Sequence, residues 1–326
     1  SYSTGPPETD AFGTGSLTIA TGAVLDLNGQ TINNTTTISG TGISSTGAIT
    51  NSNATAATIS GNITLAADSS IGGSNNVTLS GVISGAYNLT KVGSSTYTLS
   101  GTNTYSGNTT ISAGTIKLTG SVNALTDLSI ASGATLDLQS TQTFATLNLN
   151  GTISNSTGSS ALTIAGASDI GGSITTSGTQ TYSGAVVLSN DVTLTTTDSN
   201  ITFAVTVDGD GTARDLTIDM DNGVSADGTV QFVNTVGANN SLDVIDITGN
   251  LNLDAAISNT TSLSVSGTSN LGADVTTSGT QTYTGAVVLS TDVTLTTTDS
   301  NITFSSTIDS DSGDSKRDLT LTLGSG

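Results

Sequence analysis

Residues 175–203 read TTSGTQTYSGAVVLSNDVTLTTTDSNITF, and residues 276–304 read TTSGTQTYTGAVVLSTDVTLTTTDSNITF. The two segments agree at 27 of 29 positions and stand 101 residues apart. Within the first, Ile201, Phe203, Val205 and Val207 alternate with Thr202, Ala204 and Thr206. Apolar residues at every second position place one row of side chains on one face of an extended chain. That is the pattern of a strand with one buried face. Repetition at a fixed long period is the mark of a repeat architecture rather than of a compact domain.

The likeness spreads outward from these copies. AGASDIGGSI (165–174) aligns with SGTSNLGADV (266–275), and RDLTI at Arg214 answers RDLTL at Arg317 with two residues inserted. A shorter echo runs further: GTNTYSG from Gly101, STQTF from Ser140, GTQTYSG from Gly178 and GTQTYTG from Gly279. The intervals suit a unit of roughly 19–20 residues taken two, two and five times, at the short end of solenoid repeats. LTIATGAVLDLNGQTI (17–32) and LSIASGATLDLQSTQTF (128–144) form another related pair. Alternating apolar pairs such as Leu25/Leu27, Ile63/Leu65, Val77/Leu79, Tyr97/Leu99 and Leu136/Leu138 recur along the chain, with Gly, Asn, Asp and Ser between them as turns require. The expected fold is all-β: a parallel β-helix, or β-solenoid, with about three short strands per coil of roughly 20 residues. Small aliphatic side chains stack into its narrow core, and β-branched Thr suits the exposed faces. The expected divisions are an N-terminal arm, linker or cap at 1–15, solenoid at 16–164, a repeat unit at 165–265 and a second, truncated copy at 266–326.

Composition narrows the function. Charged residues make up 9% of the chain, against about 25% in ordinary soluble domains. The 34% hydrophobic content is too high, and too regularly placed, for a disordered chain. The net charge is −20, and the only cations are Lys91, Lys117, Arg214, Lys316 and Arg317. Five scattered cations cannot follow a phosphate backbone, so nucleic acid is excluded as a partner. Attraction to an anionic membrane surface is excluded likewise. No apolar run reaches the length of a membrane-spanning helix, so no membrane insertion by this segment is expected. Without Cys or His, no disulfide framework, thiol nucleophile or Ser–His triad can be built. The start at Ser1 is read as processing or as a fragment, and the chain is expected to continue beyond Gly326.

Residues 89–120, LTKVGSSTYTLSGTNTYSGNTTISAGTIKLTG, closely resemble the autotransporter-associated β-strand repeat. The match runs through Leu89, Lys91, Gly93, Leu99, Gly101, Asn103, Tyr105, Gly107, Ile111, Gly114 and Leu118, with Ser95 and Ile116 replacing the usual Gly and Leu. The rest of the chain resembles the degenerate β-strand repeats of large bacterial adhesins and filamentous-haemagglutinin-like proteins. The resemblance implies that the parallel β-helix is right-handed, exported across a bacterial outer membrane and displayed on the cell surface. It assigns no catalytic residue.

Two groups of residues are candidates for more than packing. VDGDGTARD (207–215) resembles IDSDSGDSKRD (308–318), and carboxylates two apart in glycine-rich turns suit a hard cation such as Ca²⁺. Asp208, Asp210, Asp309 and Asp311 are the candidate ligands; the competing reading is plain solvated turns. No cofactor is required by this reading. The recurring aromatics Tyr105, Phe144, Tyr182 and Tyr283 would stack on sugars if exposed, but replacement by Phe at 144 favours packing. Arg214 with Asp215, repeated as Arg317 with Asp318, reads as a structural pair.

The expected function is a non-catalytic, extracellular, structural and adhesive rod, a surface-displayed segment of a large bacterial adhesin. Its expected partners are neighbouring copies of itself, other surface proteins, glycans or another cell surface. The alternative is a subunit of a self-assembling extracellular filament or sheath, stacked head to tail through unpaired strand edges with the N-terminal arm docked on its neighbour. A remote alternative is a polysaccharide-active β-helix enzyme with paired carboxylates.

Overall fold

The computed structural model describes residues 12–13, 15–221, 223, 227–311 and 316–324. Most of the arm expected at 1–15 lies outside the described residues. So do residues 312–315 and Asn222 of the acidic stretches. Among the described residues there is no α-helix, only short strands and one 3-10 turn at Ile43–Ser45. The chain is a parallel β-solenoid with three strands per coil, divided into two compact units.

The first unit comprises Ser1–Ala145 with Asn150–Gly158. Its strands stack in three columns. In one, Ala57, Val77, Tyr97, Ile116 and Leu136 are direct neighbours, so each coil takes 19 or 20 residues. In a second, Ser69, Leu89, Thr109 and Leu128 are neighbours. The third carries Leu17, Thr36, Ile63 and Ile83. Inward positions are mostly Ile, Leu and Val, as the two-residue alternation predicts, with Tyr97, Lys91, Ser69 and Thr109 among the exceptions, and nearly all are fully buried. Corner residues hold successive coils together. The Asp68 carboxylate accepts the Asn88 N–H at 3.0 Å, and the Asn88 side-chain carbonyl accepts the Asn108 N–H at 2.7 Å, so one corner position repeats one bond every coil.

The second unit comprises Thr146–Leu149 with Ser159–Gly326. Its first column runs through Leu162–Ile164, Gln180–Tyr182, Ile201–Phe203, Thr229–Phe232, Asn250–Leu253, Ser269–Leu271, Val287–Leu289 and Ile308–Ser310. Its second runs through Ser168, Val186, Val207, Val236, Ile257, Val275 and Leu295. Its third runs through Leu194, Ile218, Ile247, Val265, Tyr283 and Phe304. The alternation over 201–207 does not make one strand: the chain turns between Phe203 and Val207, and Val205 sits half-buried at the corner.

Coil length varies here. Ile201 pairs with Val230, 29 residues on, whereas Leu251 pairs with Ser269, 18 residues on. The 101-residue repeat is therefore not five coils. From Gln180 the first column is met again at Ile201, Val230, Leu251 and Ser269, four coils; two more faces lead through Val275 to Gln281. The repeat falls one face short of a fifth coil. Gln180–Tyr182 lies in the first column and its copy Gln281–Tyr283 in the third. Val186–Leu188 lies in the second and its copy Val287–Leu289 in the first. The longer coils carry loops, 210–215 among them, that add residues without adding strands.

Near-identical sequence nonetheless builds the same corner on both faces. The Gln180 amide donates to Thr195 O at 2.9 Å and accepts the Tyr182 hydroxyl at 2.9 Å, while Thr176 Oγ1 donates to Gly178 O at 2.7 Å. The Gln281 amide donates to Thr296 O at 2.9 Å and accepts the Tyr283 hydroxyl at 3.2 Å, while Thr277 Oγ1 donates to Gly279 O at 2.7 Å. Inside the first column Tyr182, Phe203 and Phe232 stack with centroids 5.0 and 5.2 Å apart, and Tyr283 stacks on Phe304 at 5.3 Å in the third. Tyr105, Phe144, Tyr182 and Tyr283 are all core residues.

Candidate functional site

The acidic turns are engaged within the fold. Asp208, on the strand Val207–Gly209, is 6% exposed; its carboxylate accepts the Asn239 N–H and Asn239 Nδ2, both at 2.9 Å, and the Asn240 N–H at 3.4 Å. It ties one coil to the next. Asp210 takes both guanidinium contacts of Arg214, at 2.7 and 3.1 Å, and the Thr212 N–H at 3.0 Å. Those bonds, Arg214 foremost, hold its carboxyl down at about 2. Asp311 pairs with Arg317 at 3.2 Å, and Asp309 lies on the strand Ile308–Ser310 beside Val288. Asp208 and Asp309 are equivalent in the repeat but lie in different columns. Among the described residues no group of three or more metal-ligating side chains is assembled.

The expected Arg214–Asp215 pairing is not what forms. The loop folds Arg214 back onto Asp210, while Asp215 accepts the Val244 N–H at 3.1 Å. Adjacent in sequence, the two side chains engage different partners: Arg214 the carboxylate of Asp210 in its own loop, Asp215 the backbone of the next coil. These placements set an expected contrast. Asp208→Ala strips acceptors from part-buried backbone N–H groups and should cost about 1–3 kcal/mol in urea unfolding. Arg214→Gln, at an exposed pair, should leave the midpoint unchanged.

A different feature is a groove of about 530 Å³ on the outer side of the first column of the second unit. Outward positions on successive strands make it. One row is Asn200, Thr229, Asn250 and Thr268; the other is Thr202, Gln231, Asn252, Asn270 and Val288. The first row is a wall whose polar atoms bind the fold itself. Asn200 Oδ1 accepts the Thr229 N–H at 2.9 Å. Asn250 accepts both the Thr268 N–H and hydroxyl, at 2.8 and 2.7 Å, and donates to Asp227 O at 3.0 Å. The second row is linked side chain to side chain. Asn270 Nδ2 donates to Asn252 Oδ1 at 2.8 Å, and Asn252 Nδ2 to Asp254 Oδ1 at 3.3 Å. Gln231 Nε2 donates to Asp254 Oδ2 at 2.6 Å. Composition gave no hint of the groove, since an outward amide on a strand looks the same in sequence whether its neighbours form a ridge or a hollow.

The segment with the strongest family signature is a site of another kind, a coil whose buried Lys, Asn and Tyr side chains are engaged within the fold while the buried Ser95 hydroxyl has no partner among the described residues. Lys91 is entirely buried. Its ammonium donates to Val92 O at 2.9 Å, Gly93 O at 2.8 Å and Ala113 O at 3.2 Å, and lies 5.5 Å from the centre of the Tyr97 ring. Desolvation pulls it down to about 8. Its burial was readable in principle, because Lys91 shares the inward parity of Leu89. Gly114, at φ +69°, leaves room for it: a Cβ there would stand 2.8 Å from Lys91 Nζ and 2.5 Å from Gly93 O. Asn103 spans three coils, accepting the Ile83 N–H at 2.9 Å and donating to Gly101 O at 3.1 Å and Ser121 O at 2.9 Å. Tyr105 and Thr109 share a 2.6 Å hydroxyl contact in the core. Lys91, Gly93, Gly101, Asn103, Tyr105 and Gly114 are all positions of the resemblance.

Residues 89–118 match the family model of the passenger-associated-transport-repeat. No curated protein and no solved structure gives a significant match to the chain.

Proposed function

We propose that the chain is a non-catalytic, surface-displayed passenger segment of a large bacterial surface protein, with a structural and adhesive role outside the cell. The passenger-associated transport repeat at 89–118 carries this reading. Its Lys, Gly, Asn and Tyr positions are all spent on closing a coil, which suits a module selected for stacking rather than for chemistry. The parallel solenoid supports it too, because such a fold extends by adding coils that need only their neighbours. So does the acidity of a chain at −20, which keeps a Thr-rich β surface from self-association. Against catalysis stand the lack of His and Cys and the pairing of Asp210 and Asp311 with arginines. The test is labelling of intact, unpermeabilised source cells with antibody raised against residues 89–324. Surface labelling that external protease removes is the expected result. Labelling only after permeabilisation would overturn the reading.

A further inference from the structure

From the second, amide-bearing row of the groove we infer a binding site for a neutral polysaccharide chain, a reading that rests on the segment being extracellular. The two rows differ in what they leave over. The wall residues Asn200 and Asn250 spend their side chains on the fold. In the other row, the chain of bonds from Asn270 through Asn252 to Asp254, met by Gln231 from the far side, fixes which way each amide points. Asn270 Oδ1 and Gln231 Oε1 accept no hydrogen bond from the described residues, and each of the three amides uses one of its two N–H donors. Each amide therefore keeps an unused donor, and Asn270 and Gln231 an unused acceptor as well, on side chains held in place before anything binds. A ligand that meets such a row needs groups that both give and take hydrogen bonds at close spacing, which vicinal hydroxyls do. Preorganised amides lose little freedom on binding.

Charge narrows the class. No Lys or Arg lines the groove, and Asp254 stands beside it in a chain of net charge −20. Uronate, sulfate and phosphate polymers would meet only repulsion. An apolar ligand surface laid on the row would bury the amides without partners, at the cost of unmade hydrogen bonds. Val288 closes the row with an apolar patch that can take the C–H face of a sugar ring. The groove has the volume of an ordinary ligand site but crosses five successive strands as an open channel, which fits a segment of a polymer.

The experiment is affinity electrophoresis of the full chain through gels containing dextran, galactomannan, arabinoxylan or xyloglucan, with polygalacturonate and heparin as acidic comparisons. Retardation by at least one neutral polymer is expected, with none by the acidic pair. Asn252→Leu/Asn270→Leu, which keeps strand-compatible side chains, should weaken that binding at least tenfold at an unchanged urea midpoint. Thr78→Leu/Thr98→Leu, on an outward row of the first unit, should leave it unchanged. If the leucine pair lowers the midpoint, the isosteric Asn270→Asp, which sets a carboxylate against Asn252 Oδ1, serves instead, with the same expected loss. No retardation by any neutral polymer, equal retardation by the acidic ones, or full binding by the groove variants would each overturn the site. None of these outcomes touches the surface labelling, so the two readings fail separately.

Discussion

Phe203→Ala is expected to lower the unfolding free energy by about 3–5 kcal/mol, the range for removing a large ring from a packed core. Phe304→Ala, at the equivalent position of the repeat, should cost about 1–2 kcal/mol. The two residues sit in near-identical sequence, so local propensity cancels in the comparison. Packing does not. Phe203 is 1% exposed and stacks between Tyr182 and Phe232, whereas Phe304 is half-buried and stacks on Tyr283 alone. Truncating Phe203 opens a hole that two rigid rings, held by strand register, cannot close. Urea unfolding followed by circular dichroism measures both. Equal losses would mean that stability is set within each short repeat rather than by the coils above and below it.

Lys91→Ala should cost about 3–5 kcal/mol, combining a lost buried stem with three carbonyls deprived of their donor. Lys91→Met keeps the stem and should cost about 1–3 kcal/mol. The two also separate by pH. The folded ammonium is pulled down to about 8 by burial, and an unfolded lysine titrates near 10.4. Between those values the unfolded chain binds more protons than the folded one, so stability should rise with pH from about 8 towards 10. Buried tyrosines then reverse the trend. Desolvation pushes Tyr105 up to about 12 and raises Tyr97 further, so above pH 10 the unfolded chain loses phenolic protons first and stability falls. Hydrogen exchange of amides in 89–118 across this range should show a maximum near pH 10 once intrinsic exchange is corrected for. In Lys91→Met the rising limb should vanish and the falling limb remain. A rising limb that survives in Lys91→Met would remove Lys91 as its source.

The strands were legible because a narrow core admits only alternating small aliphatics, and pairs such as Val77/Leu79 and Leu251/Leu253 announce themselves. The inward aromatics were legible for the same reason, since Phe144 in place of Tyr gives up a hydroxyl that a sugar-stacking residue has no need to lose. Coil phase was not legible. Loops such as 210–215 lengthen a coil without any change in the two-residue pattern, so counting residues mistakes four coils and two faces for five coils. The partner of Arg214 was hidden because it is set by how the 210–215 loop folds back, which brings up Asp210 four residues away rather than the adjacent Asp215. The groove was hidden because a hollow is a property of strands stacked side by side, while sequence reports each outward residue singly.

The missing face in the 101-residue repeat also bears on how such a gene can change. When a copy re-enters the solenoid a third of a turn out of phase and still forms the same Gln–Tyr–Thr corner, the first and third columns serve equally well as folding environments for it. Unequal crossing-over between copies therefore need not conserve a whole number of turns. A lineage can lengthen or shorten its array by recombination without breaking register. The shifted copy also points its outward residues in a new direction, as Asp208 and Asp309 show on two different columns.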